Sequence, residues 1–331
     1  MKYFTEPNGK FIIHIPTEWQ YSNLAVGHEE VSPFSFQLYS DPVGAFQISC
    51  YSKEEKQINP NIKPQSFDAR HLVFLKRRMD GEGFNVHLWF AAVEDHFFMA
   101  KYVYDTLRQN DSEVKEEMIK VESALASLQL LSPEKRKLAI ELDKYEKFMA
   151  SLSASFDLKN KALENESLIE LLVIIGNQID AYLRMALVMK KQLADKTNLI
   201  DITLLFQGEN DTPIMERKIY SQAKEANIID GEMLDKLEML YKQRNKVIHR
   251  YIISEFKTRY LYEIIAEYEA ICEKVRLALQ AIENLQFKEQ IGIHGNARNP
   301  QDHPSQEDIN MLYSQINDKH LVRHLYREVK K

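Results

Sequence analysis

Cysteine and glycine are both scarce in this chain. Only two cysteines, Cys50 and Cys272, occur in 331 residues, and they lie in different halves. This spacing excludes a disulfide framework and fits a reducing compartment. The ten glycines form no phosphate-binding loop. The first eleven residues lack the apolar core of a signal peptide, and no apolar run reaches the length of a membrane span. We therefore expect a cytoplasmic protein that needs no membrane contact and no cofactor.

The charge that is present is distributed unevenly. The chain has a formal net charge of −6, of which −5 falls in residues 1–130 and −1 in residues 131–331. Residues 236–259 nevertheless hold seven basic and two acidic side chains, a local net charge of +5. A positive patch of this size can hold a phosphate, whereas the acidic chain as a whole is unsuited to coating nucleic acid.

The first 130 residues have the alternating pattern of an antiparallel sheet. Apolar residues alternate over 34–38 and 46–50, and a second hairpin is predicted over 85–92 and 96–105. Helical spacing is predicted over 67–79 and 112–130. The order of these elements, with Ile15-Pro16-Thr17-Glu18-Trp19 after the first strand, resembles the PsbP-like α/β sandwich family. That resemblance implies a binding or docking domain at 1–130, whose ligand is unknown.

The period changes to 3.6 residues after Leu131, where Ser132 can cap a helix that begins at Pro133. Long helices with one apolar side predict an all-α antiparallel bundle at 133–290. The predicted helices span 133–156, 164–195, 212–227, 230–252 and 254–287. A polar tail at 291–331 contains a capped helix that begins at Ser305 and continues to about Val329. The fold class is therefore α+β with two domains.

Arg244 falls on the apolar face of the predicted helix 230–252. It shares that face with Leu237, Leu240 and Val247, where an unpaired charge would be very costly. Two alternatives follow. Either a carboxylate inside the bundle, Asp180 or Glu170, pairs with Arg244, or the face opens into a groove where a ligand anion does so.

The stretch Arg244-Asn245-Lys246-Val247-Ile248-His249-Arg250-Tyr251 resembles the motif of the HEPN superfamily, an arginine followed by a polar residue and then a histidine. The tyrosine two residues after His249 matches the toxin branch called HepT. The resemblance covers about 150 residues, from 133 to 287. Catalytic members of the superfamily are metal-independent ribonucleases, and other members bind RNA, nucleotides or proteins without catalysis.

The resemblance implies a role for each motif residue. Histidine titrates near neutral pH, so His249 is expected to act as general acid or base at the ribose 2′-hydroxyl or the leaving oxygen. Arg244 is expected to hold the phosphate and Asn245 to orient the histidine, with Lys242, Lys246 and Arg250 as further RNA contacts. Tyr251 is either a core or interface residue or the site where a partner antitoxin attaches a nucleotide.

Two functions remain open from the sequence. The first is a homodimeric HEPN-type endoribonuclease, a toxin or defence effector whose site is shared between two copies. The second is a non-catalytic HEPN module that binds a protein, nucleotide or RNA. An Arg244 that faces His249 across a dimer groove favours the enzyme, and an Arg244 sealed against a carboxylate inside one bundle favours the binding module. No metal site is expected, because His320 and His324 have no third ligand near them in sequence.

Overall fold

The computed structural model describes residues 1–55, 62–66, 72–208, 211–295 and 304–330. The chain divides into two compact units, one made of Met1–Asp143 with Pro304–Lys331 and the other of Lys144–His303. The first unit is rich in strands and the second is helical, so the α+β two-domain prediction is confirmed. The division lies inside a helix, after Asp143, rather than at residues 131–132.

Before the division, the described residues of the first unit form two sheets, one complete α-helix and the first part of a second one. Its strands are β1 (Lys2–Thr5), β2 (Phe11–Ile15), β3 (Trp19–Tyr21), β4 (Phe34–Leu38), β5 (Gly44–Ser52), β6 (Pro64–Gln65), β7 (Leu75–Asp80), β8 (Phe84–Val93), β9 (His96–Asp105) and β10 (Gln129–Leu130), and helix α1 is Ser112–Ala126. The small sheet has the order β1-β2-β10, and the large one has the order β3-β4-β5-β9-β8-β6 with β7 also paired to β8.

Both predicted hairpins are present, β4 with β5 and β8 with β9, and both are antiparallel. The helix predicted over 67–79 is wrong where the structure describes it, because Leu75–Asp80 pairs with β8 as a strand. Residues 67–71 lie outside the described residues. All six residues of β7 are exposed, so hydrogen bonding to the edge of β8 outweighs the helical spacing of their side chains.

The core of the first unit lies between the small sheet, the large sheet and α1. It is built from large side chains of both sheets, among them Phe11, Phe36, Phe46 and Phe98. One buried polar group is satisfied inside this core, where Trp19 Nε1 donates to Glu117 Oε2 at 2.7 Å. Because Glu117 is on α1 and Trp19 on β3, this hydrogen bond fixes the helix against the sheet.

The last helix, α8 (Gln306–His320), belongs to the first unit. Ser305 forms the predicted capping box, with Asp308 as its partner, but the helix ends at His320 rather than near Val329 because Leu321 adopts a left-handed conformation. The buried ammonium of Lys2 forms an ion pair with Asp318, and Tyr39 donates to Ser314 O at 2.6 Å. Burial lowers the pKa of Lys2, while Asp318 opposes that shift. Residues 304–331 are thus part of this unit and no separate tail.

The second unit is a bundle of long helices. Its helices are α2 (Pro133–Glu164, which begins before the division), α3 (Leu168–Asp195), α4 (Ile202–Leu205), α5 (Glu216–Glu225), α6 (Gly231–Arg250) and α7 (Tyr260–Glu289). The predicted stripe of α3, which includes Leu171 and Ile175, packs in one core with that of α7, which includes Ile265 and Val275. By length and composition α3 could cross a membrane, but 67% of its most apolar window is buried, as is usual for the core helix of a folded domain.

Asp318→Ala is expected to release α8 from the first unit, because the buried ammonium of Lys2 loses its counter-ion. Breaking a buried pair in this way costs about 3 kcal/mol. Hydrogen–deuterium exchange should show faster exchange of the α8 amides, and a fall in the free energy of unfolding should accompany it. Lys319→Ala, an exposed change on the same helix, is the control. Unchanged protection of α8 in Asp318→Ala would show that the ion pair does not hold the helix.

Candidate functional site

Helix α6 carries the motif, and its local sequence explains where it begins and how it faces. The carboxylate of Asp230 caps the helix by accepting from Met233 N at 2.8 Å. Leu237, Leu240 and Val247 are buried against the bundle core. Arg244 lies on this same side, as the sequence predicted, and only 7% of its surface is exposed.

The partner of Arg244 is Glu216 at the start of α5. Arg244 Nη1 donates to Glu216 Oε1 at 3.0 Å, and Nη2 donates to Glu216 Oε2, so the two planar groups meet in a bidentate pair. The prediction of Asp180 or Glu170 as the partner was wrong. Asp180 accepts from Arg184 Nε at 2.7 Å on its own helix, and Glu170 is exposed.

Three neighbouring residues leave space for the Arg244 guanidinium or contact the ion pair. A Cβ on Gly176 would come within 2.4 Å of Arg244 Nη1, so α3 leaves space there that any larger residue would fill. The Arg244 Cζ atom lies 5.3 Å from the centre of the Tyr241 ring, and the hydroxyl of Tyr220 donates to Glu216 Oε1. Burial opposes the charge of Arg244, but its hydrogen bonds to Glu216 outweigh burial and its pKa is raised. The pair is therefore a charged structural element of the core.

A second, largely buried arginine lies on α3, and the sequence did not predict its role. Arg184 donates from Nη1 to Leu204 O at 3.0 Å and from Nη2 to Ile214 O at 2.8 Å, which fixes the chain that leads into α5. Burial raises the pKa of Asp180, and its contact with Arg184 opposes that rise. The spacing of Asp180 and Arg184, four residues apart on one helix, was the available sequence signal.

The remaining motif residues lie on other sides of α6 or just after its C-terminal end. His249 is exposed, Asn245 is half-buried, and the Tyr251 hydroxyl contacts Thr258 Oγ1 just beyond the end of the helix. Five residues of a helix turn the side-chain direction by about 140°, so Arg244 and His249 point to different sides of α6. Within one copy of the chain the geometry does not bring them together around a common phosphate.

The predicted RNA contacts form a basic surface on the outer side of α6. Lys242, Lys246 and Arg250 are all exposed, and none of them forms an ion pair with a residue that the structure describes. Cations near the C-terminal end of a helix are also favoured by its dipole. These side chains are free to contact an anion. Over the described ranges, no group of three or more His, Cys, Asp or Glu residues could hold a metal ion.

Comparisons with known proteins do not assign a family. No protein-family model and no curated protein sequence matches the chain. One solved structure, a crystal structure at 1.50 Å from Bacteroides thetaiotaomicron, aligns with 54% of this chain and 76% of its own, at 15% sequence identity and a TM-score of 0.29. A likeness at that level carries no argument about function.

The Arg244–Glu216 pair is expected to behave as a coupled structural unit. Arg244→Met leaves a partly buried carboxylate without its counter-charge, and Glu216→Gln leaves a buried guanidinium. Each change alone should therefore cost about 3 kcal/mol of stability. The double variant should be more stable than either single variant, because no uncompensated charge remains. Urea unfolding of the four proteins measures this coupling.

Arg217→Ala is the matched control, since its ion pair with Glu238 joins the same two helices at the surface. Surface pairs contribute little, so its unfolding curve should stay close to that of the wild type. Additive effects of Arg244→Met and Glu216→Gln would contradict the structural role of the buried pair.

Proposed function

We propose that the helical unit is a HEPN-type module that binds single-stranded RNA and does not cleave it as a single copy. The observation that carries this proposal is the position of Arg244. Its guanidinium is committed to Glu216 in the core, on a different side of α6 from the exposed His249. Both Nη atoms are held by Glu216 and the remaining Nε–H group is buried, so this arginine offers no accessible donor to a phosphate. A ribonuclease of this class needs such a donor beside the histidine.

The exposed surface of α6 supports RNA as the ligand. Lys242, Lys246 and Arg250 project from one side of the helix, within the window of +5 net charge. Phosphate groups bind such a surface by displacing counter-ions, and this needs no buried site. Aromatic residues follow directly in the chain at Tyr251, Phe256 and Tyr260. Basic and aromatic side chains together are typical of proteins that bind single strands.

We assign the sheet-rich first unit a docking role, and a docking protein is the partner that we expect there.

We place the protein in the cytoplasm, because both cysteines are free and buried, as in a reducing compartment.

Replacing Lys242, Lys246 and Arg250 together by alanine is expected to weaken RNA binding strongly, because three phosphate contacts disappear. The slope of log K against log salt should become shallower by about 2, since each single-strand contact contributes about 0.7. Fluorescence anisotropy with a labelled unstructured RNA, measured at several salt concentrations, gives the affinity and its salt dependence.

A variant that removes the same charge from Lys218, Lys224 and Lys274, three exposed lysines elsewhere in the helical unit, is the control. Equal losses in both triple variants would mean that binding depends only on net charge. No RNA binding by the folded wild type would overturn the proposed function.

A ribonuclease assembled from two copies is the second candidate. The observation that favours it is an exposed apolar group beside His249, in which Ile248, Ile252 and Ile253 are 43%, 94% and 81% exposed. Apolar side chains this exposed at one helix end are suited to an isologous contact. The toxin or defence role, and a partner antitoxin that modifies Tyr251, belong to this candidate alone.

Cleavage of a mixed-sequence RNA in EDTA separates the two candidates. We expect no cleavage by wild type, and the same result for His249→Ala, which should leave stability nearly unchanged because the side chain is exposed. Cleavage that His249→Ala and the pair Ile252→Asp and Ile253→Asp both abolish would replace the binding module by the dimeric ribonuclease. Arg244→Ala is a poor test here, because it also breaks the core ion pair.

A further inference from the structure

A groove of about 400 Å³ opens where α6, the segment 251–259 and the start of α7 meet. Gln243 and Lys246 line it from α6, Glu255 and Phe256 from the connecting segment, and Tyr260 and Glu263 from α7, with Ile264 also in the wall. None of these residues belongs to the buried pair of Arg244. The groove adjoins the basic surface, because Lys246 is common to both.

The walls of the groove offer flat π surfaces. The rings of Phe256 and Tyr260 lie 5.9 Å apart at an interplanar angle of 73°, and Tyr251 lies 6.2 Å from Phe256. Lys246 Nζ sits 5.9 Å from the centre of the Phe256 ring. Tyr260 is 37% exposed, and the Arg259 Cζ atom lies 5.1 Å from the centre of its ring. Nucleobases stack on aromatic faces of this kind.

The polar groups of the groove are mainly acceptors. Glu255 and Glu263 are exposed and form no ion pair in the part of the chain that the structure describes. Gln243 Oε1 is buried and has no hydrogen-bond partner among the described residues. A buried amide oxygen without a donor is costly, so a ligand that brings an N–H group there would remove that cost. The groove therefore favours a ligand rich in N–H donors.

Charge decides what kind of donor the ligand can be. A cationic ligand is disfavoured, because Lys246 lines the groove and Arg250, Lys257 and Arg259 are close in sequence to its lining residues. A phosphate is disfavoured inside it by the two glutamates, yet it is favoured on the adjoining basic surface, which shares Lys246 with the groove. A nucleotide meets both conditions, with its neutral base inside and its phosphate on the rim.

We propose that this groove binds one unpaired base of the RNA and selects a base with an exocyclic amino group, guanine above all. Guanine presents two adjacent N–H donors, N1–H and N2–H₂, which one carboxylate can accept together. Adenine and cytosine offer their amino groups alone, and uracil has no amino group. This inference rests on the proposed RNA-binding function and adds the base preference and the residues that read it.

The test uses labelled eight-residue oligouridines that carry a single guanine, adenine, cytosine or uracil at the centre. Wild type should bind the guanine oligomer at least about tenfold more tightly than the all-uracil one, with adenine and cytosine between them. Phe256→Leu keeps an apolar side chain in the wall but removes the stacking face, and it should weaken binding of all four oligomers about fivefold or more.

Replacing the two glutamates of the groove tests the base preference more directly than the Phe256 variant does. Glu255→Gln and Glu263→Gln together remove two negative charges, so binding of the all-uracil oligomer should become tighter while the preference for guanine disappears. Opposite changes in affinity and selectivity are not expected from a loss of structure. Tyr262→Leu, an exposed aromatic on α7 outside the groove, should leave both quantities unchanged.

The outcomes separate this inference from the function on which it rests. Equal binding of the four oligomers, abolished by the Lys242, Lys246 and Arg250 triple variant, would retain RNA binding and overturn the base site. Absence of all RNA binding would overturn both. Competition by GMP but not UMP would support the base site, and GMP binding as tight as that of the guanine oligomer would identify a free nucleotide as the source of the base.

Discussion

The buried pair of Arg244 and Glu216 adds an electrostatic tie between helices that also pack through apolar side chains in one core. Helix α5 has only ten residues, which is too short to be stable alone, and Glu216 lies in its first turn. The pair ties this helix to α6, and Gly176 on α3 leaves the space in which the guanidinium lies. Because a charge in a core needs its counter-charge, the position of α5 is fixed by electrostatics as much as by apolar packing.

The inward position of Arg244 determines what the opposite side of α6 can do. An α-helix distributes five consecutive side chains around its whole circumference, so committing Arg244 to the core leaves the basic side chains and His249 facing solvent. The acidic chain thereby presents a compact positive surface at one helix end. The neighbouring aromatic segment gives that surface a second kind of contact, with bases as well as phosphates.

Periodicity and cap chemistry predicted most of the architecture. The apolar stripes of α3 and α7, the start of α2 at Pro133 and the two hairpins all follow from residues close in sequence. The strand β7 could not be found this way, because its pairing with β8 depends on a neighbour and its side chains are exposed on both faces. The burial of Arg244 was also predictable, since its apolar neighbours recur at helical spacing.

The partner of Arg244 could not be predicted, because it depends on contacts between residues far apart in sequence. Arg184 donates to two backbone carbonyls before α5, at Leu204 and Ile214, and no sequence pattern encodes such contacts. Glu216 is one of many acidic residues, and nothing local distinguishes it. The groove beside residues 251–259 could not be predicted either, because it forms only where Gln243 of α6 and Glu263 of α7 lie close together in the fold.

The ion pair of Lys2 with Asp318 has a consequence for synthesis. The first unit is made of two stretches of chain, and the whole helical unit is encoded between them. During translation the sheets must therefore wait for α8 until the whole helical unit has been made. Until then the Lys2 ammonium has no counter-ion from Asp318, and the sheet-rich unit lacks the helix that Lys2 and Tyr39 hold.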